Sequence, residues 1–203
     1  MTLLPCAAIL AGGRGRRMGA DKVLVTLEGT SLIERVWARL APLAARVIVV
    51  GGEPRLEHRG VETIADRYPG ADSLGGVATA LAWVSEAIGA DGLVFCTACD
   101  MPFLEPSLVA HLAERAAHAD VVVPRTSAGY EPLCAVYRAA CLPAFEAAIR
   151  SGNLRFRDAY RGLRCREVGE GELRRFDPDL HSFVNINRPA DLEAAARLLR
   201  LAG

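Results

Sequence analysis

Apolar residues in this chain alternate between two patterns. Unbroken runs at Cys6–Leu10, Val47–Val50, Leu93–Cys96, Val121–Val123 and Cys134–Tyr137 have the length of strands. Between them, apolar residues at helical spacing predict helices over Leu32–Leu40, Val77–Ile88, Leu108–Ala117, Leu142–Ile149 and Leu192–Leu201. Ser31 stands just before the first of these with Glu34 three residues on, the pattern of a capping box. Pro106, Pro143 and Pro189 sit near later helix starts, where a missing N–H costs nothing. Only Arg161–His181 is polar and weakly patterned, and it reads as a strand plus a surface loop. Apolar strands alternating with helices predict an α/β fold with a mostly parallel sheet covered on both faces, in a single domain spanning 1–203.

Such sheets bind ligands beyond the carboxyl ends of their strands. That directs attention to two loops, "AGGRGRRMGADK" after Leu10 and "TACDMPFL" around the end of the third apolar run.

Composition narrows the choices. The chain has 203 residues, is 51% hydrophobic and carries a formal net charge of zero, so no overall basic field recruits nucleic acid or an anionic membrane. Any anion site has to be local. The opening "MTLLPCAAILAGG" lacks the basic start and cleavage site of a signal peptide, and no run approaches the roughly 20 apolar residues of a membrane span, so a cytoplasmic protein is expected. Six cysteines in an apolar chain of this kind are expected to be reduced. "CTAC", Cys96 to Cys99, has redox or zinc spacing, but the four histidines are scattered, which favours structural thiols.

The glycine loop carries the clearest chemistry. Gly12, Gly13 and Gly15 remove Cβ atoms and let backbone N–H groups converge on an anion. Arg14, Arg16, Arg17 and Lys22 concentrate positive charge beside them, suiting a triphosphate; the plain alternative is a solvated basic loop. Neither the G-x-x-x-x-G-K-[ST] spacing nor G-x-G-x-x-G is met. Lys22 is the only lysine among 24 basic residues. Where arginine serves everywhere else, a compact point charge kept at one position implies a specific role. Asp100, at a strand's carboxyl end, suits Mg²⁺ held through one or two carboxylate oxygens, and would otherwise be a turn or cap residue.

Taken together, these residues resemble a known family. "LAGGRGRRMGADKVLVTLEGTSLIERV" is similar to the L-A-x-G-x-x-x-R-M-G-x-x-K signature of nucleotidyltransferases of the sugar-nucleotide pyrophosphorylase type, and specifically of the molybdenum cofactor guanylyltransferases. "CDMPFL" resembles that family's metal-aspartate motif, "YEPLCAVY" its mid-chain segment and "FVNINRPADL" its closing motif, so the likeness spans almost the whole chain. It implies a Rossmann-like three-layer α/β/α fold of the nucleotide-diphospho-sugar transferase type. It also implies that Leu10, Ala11, Gly12 and Gly13 line the guanine and ribose side, that Arg17 and Lys22 face the phosphates, and that Asp66 contacts the nucleotide. Asp100 would hold Mg²⁺, while Asn185 and Asn187 would lie near the pterin-bearing substrate or else cap the last helix. One departure stands out: the family's Gly-Pro-Leu-Ala-Gly is replaced by "DSLGG", Asp72 to Gly76.

The implied reaction is attack by the phosphate of molybdopterin or its molybdenum-loaded form on the α-phosphorus of GTP, with pyrophosphate leaving. It asks for positioning and charge neutralisation and for no covalent protein intermediate. Molybdenum-insertion proteins or molybdoenzyme maturation proteins would be transient partners. A cytidylyltransferase for the same cofactor, another small nucleotidyltransferase, and a non-catalytic nucleotide-binding regulator are the competing readings.

Overall fold

The computed structural model describes residues 4–12, 25–51 and 61–202. At the centre of its main sheet lies β1 (Cys6–Leu10), buried at every position, flanked by parallel β4 (Val47–Val50) and β6 (Leu93–Ala98). With β5 (Glu62–Ile64), β7 (Val121–Thr126), β9 (Cys134–Arg138) and β10 (Cys165–Gly169), the strand order is β10-β7-β9-β6-β1-β4-β5, and β8 (Gly129–Tyr130) pairs with β7. β9 is antiparallel to both β6 and β7, so β7 and its parallel neighbour β10 run the same way as β1. The mostly parallel sheet expected from the alternation is therefore present, interrupted by the reversed β9 and by the short reversed β8 beside β7.

Successive residues of β1 serve opposite faces, as the pleat requires. Ala7 and Ile9 pack with α1 (Leu32–Leu40) and α3 (Pro106–Glu114), whereas Cys6, Ala8 and Leu10 pack with α2 (Asp72–Ala87), α4 (Leu142–Arg150) and α5 (Phe156–Ala159). This is the three-layer arrangement. Truncating a wholly enclosed side chain such as Ile9 to alanine would cost about 2–5 kcal/mol, so the apolar runs firmly fix the strands that carry the site.

Local signals explain several boundaries. Ser31 and Glu34 form the expected capping box: the Glu34 N–H donates to Ser31 Oγ and the Ser31 N–H to Glu34 Oε2, each at 3.3 Å. Pro106 opens α3, and Pro189 opens α7 (Pro189–Ala202). By contrast α2 begins at Asp72, five residues before the apolar spacing predicted, because its first turn is polar and glycine-rich. The Arg161–His181 segment holds β10 but also α6 (Glu170–Leu173), and the buried Asp177 carboxylate accepts N–H bonds from His181 and Ser182 at 3.0 and 2.8 Å. Glu172 bonds His111 of α3 at 2.8 Å and Leu173 packs into the core, so the segment is pinned to the body rather than being a strand with a plain surface loop.

A third, smaller core joins distant parts of the chain. The hairpin of β2 (Thr26–Leu27) and β3 (Thr30–Ser31) turns on Glu28 and Gly29, both at positive φ. Its Leu27 meets Leu32, Ile186 and Ala195, with Val25, Phe103, Leu192 and Leu199 packed around them. No helix among the described residues is long and apolar enough to cross a membrane.

Candidate functional site

Hydrogen bonds just past the strand ends gather the loops at one edge. The Ala11 N–H donates to the Val50 carbonyl at 2.9 Å, the Gly51 N–H to Ile64 at 2.9 Å, and the Cys99 N–H to Leu10 at 3.1 Å. The continuations of β1, β4, β5 and β6 are thereby locked side by side at their carboxyl ends.

One half of this edge is built on Leu10, Ala11, Gly12 and Asp66. Gly51, which follows β4, has φ +72°, and a Cβ placed there would lie 3.2 Å from the Gly12 Cα and 3.7 Å from the Asp66 Cβ. Gly12 and Gly51 therefore meet backbone to backbone beside Asp66, an approach that a side chain on Gly51, at positive φ, would crowd. Asp66 is half-buried, and its Oδ1 accepts the Tyr68 N–H at 2.9 Å and the Thr79 hydroxyl at 3.0 Å.

The departure at "DSLGG" resolves in the same region. Asp72 adopts φ +47°, the left-handed conformation for which the resembled pattern supplies glycine, and aspartate is among the residues that tolerate it. A Cβ on Gly75 would fall 2.7 Å from the Tyr68 carbonyl oxygen, and one on Gly76 would fall 3.1 Å from Leu10 Cδ1. The first turns of α2 accordingly lie close against β1 and the Asp66 loop.

The other half is built on Asp100. Its side chain is only 7% exposed, and its carbonyl oxygen accepts the Ile186 N–H at 3.0 Å. Nearby, the Glu105 N–H donates to the buried Ser182 hydroxyl at 2.9 Å, and the Phe103 and His181 rings lie 6.3 Å apart. The closing motif is therefore fastened along the Asp100 loop, bringing exposed Asn185 and Asn187 to that side of the molecule. Asn185 donates from Nδ2 to the Phe183 carbonyl at 3.3 Å. At the start of α7 the Asn187 and Arg188 N–H groups both donate to Asp191 Oδ2, at 2.9 and 2.8 Å.

The structure thus brings Leu10, Ala11 and Gly12 together with Asp66, and Asp100 together with the Asn185–Asn187 segment, with the Cys99–Leu10 bond between the halves. Gly13, Arg17 and Lys22 lie outside the described residues, as do Arg14, Gly15 and Arg16. Cys96 and Cys99 pack into the cores on opposite faces of the sheet, and the described cysteines form no disulfide. Burial holds the Cys96 thiol well above the usual range, so it is no ready thiolate.

Sequence reading missed Gly51, Thr79 and Ile186. A signal for Thr79 existed: it is the one hydroxyl within the apolar run "LGGVATALAWV", where a polar group needs a partner.

A mostly parallel α/β sheet that collects glycine turns and two aspartates at its carboxyl edge has the architecture of the nucleotide-diphospho-sugar transferase class. The sequence pattern of the MobA-like NTP transferase domain matches residues 7–166, and the chain belongs to that family. A molybdenum cofactor guanylyltransferase from Rhodobacter capsulatus is 38% identical over 197 residues, covering 95% of each chain. One from Desulfosudis oleivorans is 34% identical over 196 residues, covering 95% of this chain and 94% of its own. The crystal structure of molybdopterin-guanine dinucleotide biosynthesis protein A from Archaeoglobus fulgidus superposes with a TM-score of 0.81 at 30% identity, over 97% of this chain and 99% of that one.

Proposed function

We propose that this protein is a guanylyltransferase of molybdenum cofactor synthesis, acting as one nucleotidyltransferase domain over residues 1–203. A phosphate oxygen of molybdopterin, or of its molybdenum-loaded form, attacks the α-phosphorus of GTP. The new P–O bond joins GMP to the acceptor, and the bond to the β-phosphate breaks to release pyrophosphate. The observation that carries this reading is the Cys99–Leu10 hydrogen bond, which sets the Gly12–Asp66 half of the edge against the Asp100 half, giving adjoining places for donor and acceptor. The names of the relatives supply the substrates.

In this reading Leu10, Ala11, Gly12 and Gly13 seat the nucleoside, Asp66 fixes it, and Arg17 and Lys22 neutralise the phosphates. Asn185 and Asn187 orient the acceptor from the segment fastened to Asp100. Placement in line and charge neutralisation supply the rate enhancement, with no protein nucleophile.

Mg²⁺ fits the residues present. No group of three histidine, cysteine or acidic side chains lies together among the described residues, whereas one secluded carboxylate at a strand end matches an ion that keeps waters and substrate phosphates as its other ligands. Held by Asp100, it would supply positive charge to the phosphates.

The test is pyrophosphate release with molybdopterin and Mg²⁺, comparing GTP, CTP and ATP. Strong preference for GTP is expected. Equal use of CTP would overturn the guanylyl assignment, and nucleotide binding without pyrophosphate release would point to a non-catalytic binder.

A further inference from the structure

We infer that Thr79 is a positioning residue that sets the carboxylate of Asp66 for nucleotide binding. Its side chain is fully buried within α2. The hydroxyl donates to Asp66 Oδ1 at 3.0 Å and accepts the Arg67 N–H at 3.0 Å, so its one proton and one lone pair both have defined partners. The Tyr68 N–H reaches the same Oδ1 at 2.9 Å. Two donors on one oxygen fix the plane of the carboxylate, and among the described residues no group bonds Oδ2. One oxygen is committed to the protein, leaving the other for a donor on the nucleotide.

Arrangement around this contact argues for function beyond packing. Asp66 lies beside the Gly12–Gly51 backbone approach, and α2 reaches the same place through Gly75, against the Tyr68 carbonyl, and Gly76, against Leu10. Thr79 therefore ties the helix beneath the site to the acidic group within it. A buried hydroxyl in an otherwise apolar stretch is costly unless bonded, and here both of its bonds go to the Asp66–Arg67 turn. Valine would fill the same volume without them.

The inference rests on the nucleotide role proposed for Asp66, and a double-mutant cycle separates the two. GTP dissociation constants are measured by titration calorimetry for the wild type, Thr79→Val, Asp66→Asn and the double variant, with Thr79→Ser as the hydroxyl-keeping control. Thr79→Val is expected to weaken GTP binding about tenfold, equivalent to about 1.4 kcal/mol. Thr79→Ser should stay within about twofold of wild type, and the double variant should bind no more weakly than Asp66→Asn alone, the signature of action through that carboxylate. If Asp66→Asn leaves GTP binding unchanged, the role of Asp66 fails and the inference with it. If Asp66→Asn weakens binding while Thr79→Val has no effect, or its effect simply adds, Thr79 is a packing residue and the inference is overturned. Should Thr79→Val not fold, Thr79→Cys, of similar size with a weakly donating thiol, takes its place in the same cycle with the same outcomes.

Discussion

The backbone N–H of Ile186 donates to the carbonyl oxygen of Asp100 at 3.0 Å. Ile186 itself is wholly enclosed in the third core, with Leu27, Leu32 and Ala195. The loop carrying the acidic side chain is thus held by main chain from a distant segment.

Asp100→Asn is therefore expected to preserve the fold and abolish most of the activity. Turnover should fall about 10²-fold or more, the scale seen when a charge-stabilising group is removed. Steady-state kinetics at saturating Mg²⁺, beside a melting curve, check this; near-normal turnover would remove Asp100 from the mechanism.

Gly12→Ala addresses base choice. A Cβ there would lie 3.6 Å from the Gly51 Cα, an ordinary contact, so thermal stability should barely change. On the proposed nucleoside seat the added methyl group crowds the purine, and the ratio of specificity constants for GTP over CTP should fall by an amount worth about 1–3 kcal/mol, mainly through poorer use of GTP. An unchanged ratio would clear Gly12 of that role.

Lys22→Arg keeps the charge but replaces a compact ammonium with a planar fork. In a chain whose other basic residues are all arginine, the substitution should raise the KM for GTP or lower kcat by about tenfold or more, the loss of roughly one charged hydrogen bond. Wild-type kinetics would show that any cation suffices.

Alkylation of the native protein at pH 9, read by mass spectrometry, should label Cys165 alone. It is the exposed member of the six, and access decides the outcome: burial pushes its own thiol up to about 11, little below the enclosed Cys6 and Cys141 at about 12. Labelling at Cys96 and Cys99 under native conditions would contradict their placement in opposite cores.

Asp120 predicts an acid dependence. The side-chain bonds from Arg164, and the Arg164 N–H, hold its carboxyl below the usual carboxylate range, fastening the approach to β10 onto the start of β7. A depressed folded-state pKa contributes stability above the unfolded value of about 3.9 and loses it as pH falls through the folded value. The melting-temperature difference between wild type and Asp120→Asn should therefore shrink as pH drops below about 4; a constant difference would reject the linkage.

Legibility followed the physics of burial. Cys6–Leu10, Val47–Val50 and Leu32–Leu40 have the boundaries that their patterns predicted, because each is apolar up to a clear stop or opens on a capping residue. Glu62–Ile64 and the Thr26–Ser31 hairpin escaped notice: such short strands show no period, and tertiary pairing defines them. In the site, Leu10, Gly12 and Asp100 were visible as strand-end residues. Thr79 showed only as a lone hydroxyl in an apolar run, since its partner Asp66 is thirteen residues away and meets it only after β5 turns into α2. The reversed β9 was equally hidden, for direction in a sheet leaves no mark on an apolar run.

The third core carries a consequence for anyone handling this protein. Leu192, Ala195 and Leu199 of the last helix pack on the hairpin that begins just after the glycine loop, and Ile186 in the same cluster backs the Asp100 loop. Deleting residues 189–202, or wedging a fused domain against that helix, would strip the cover from the hairpin and from the segment that backs the Asp100 loop. Activity lost in such a truncated protein would mimic a catalytic lesion, although none of the proposed site residues had been changed.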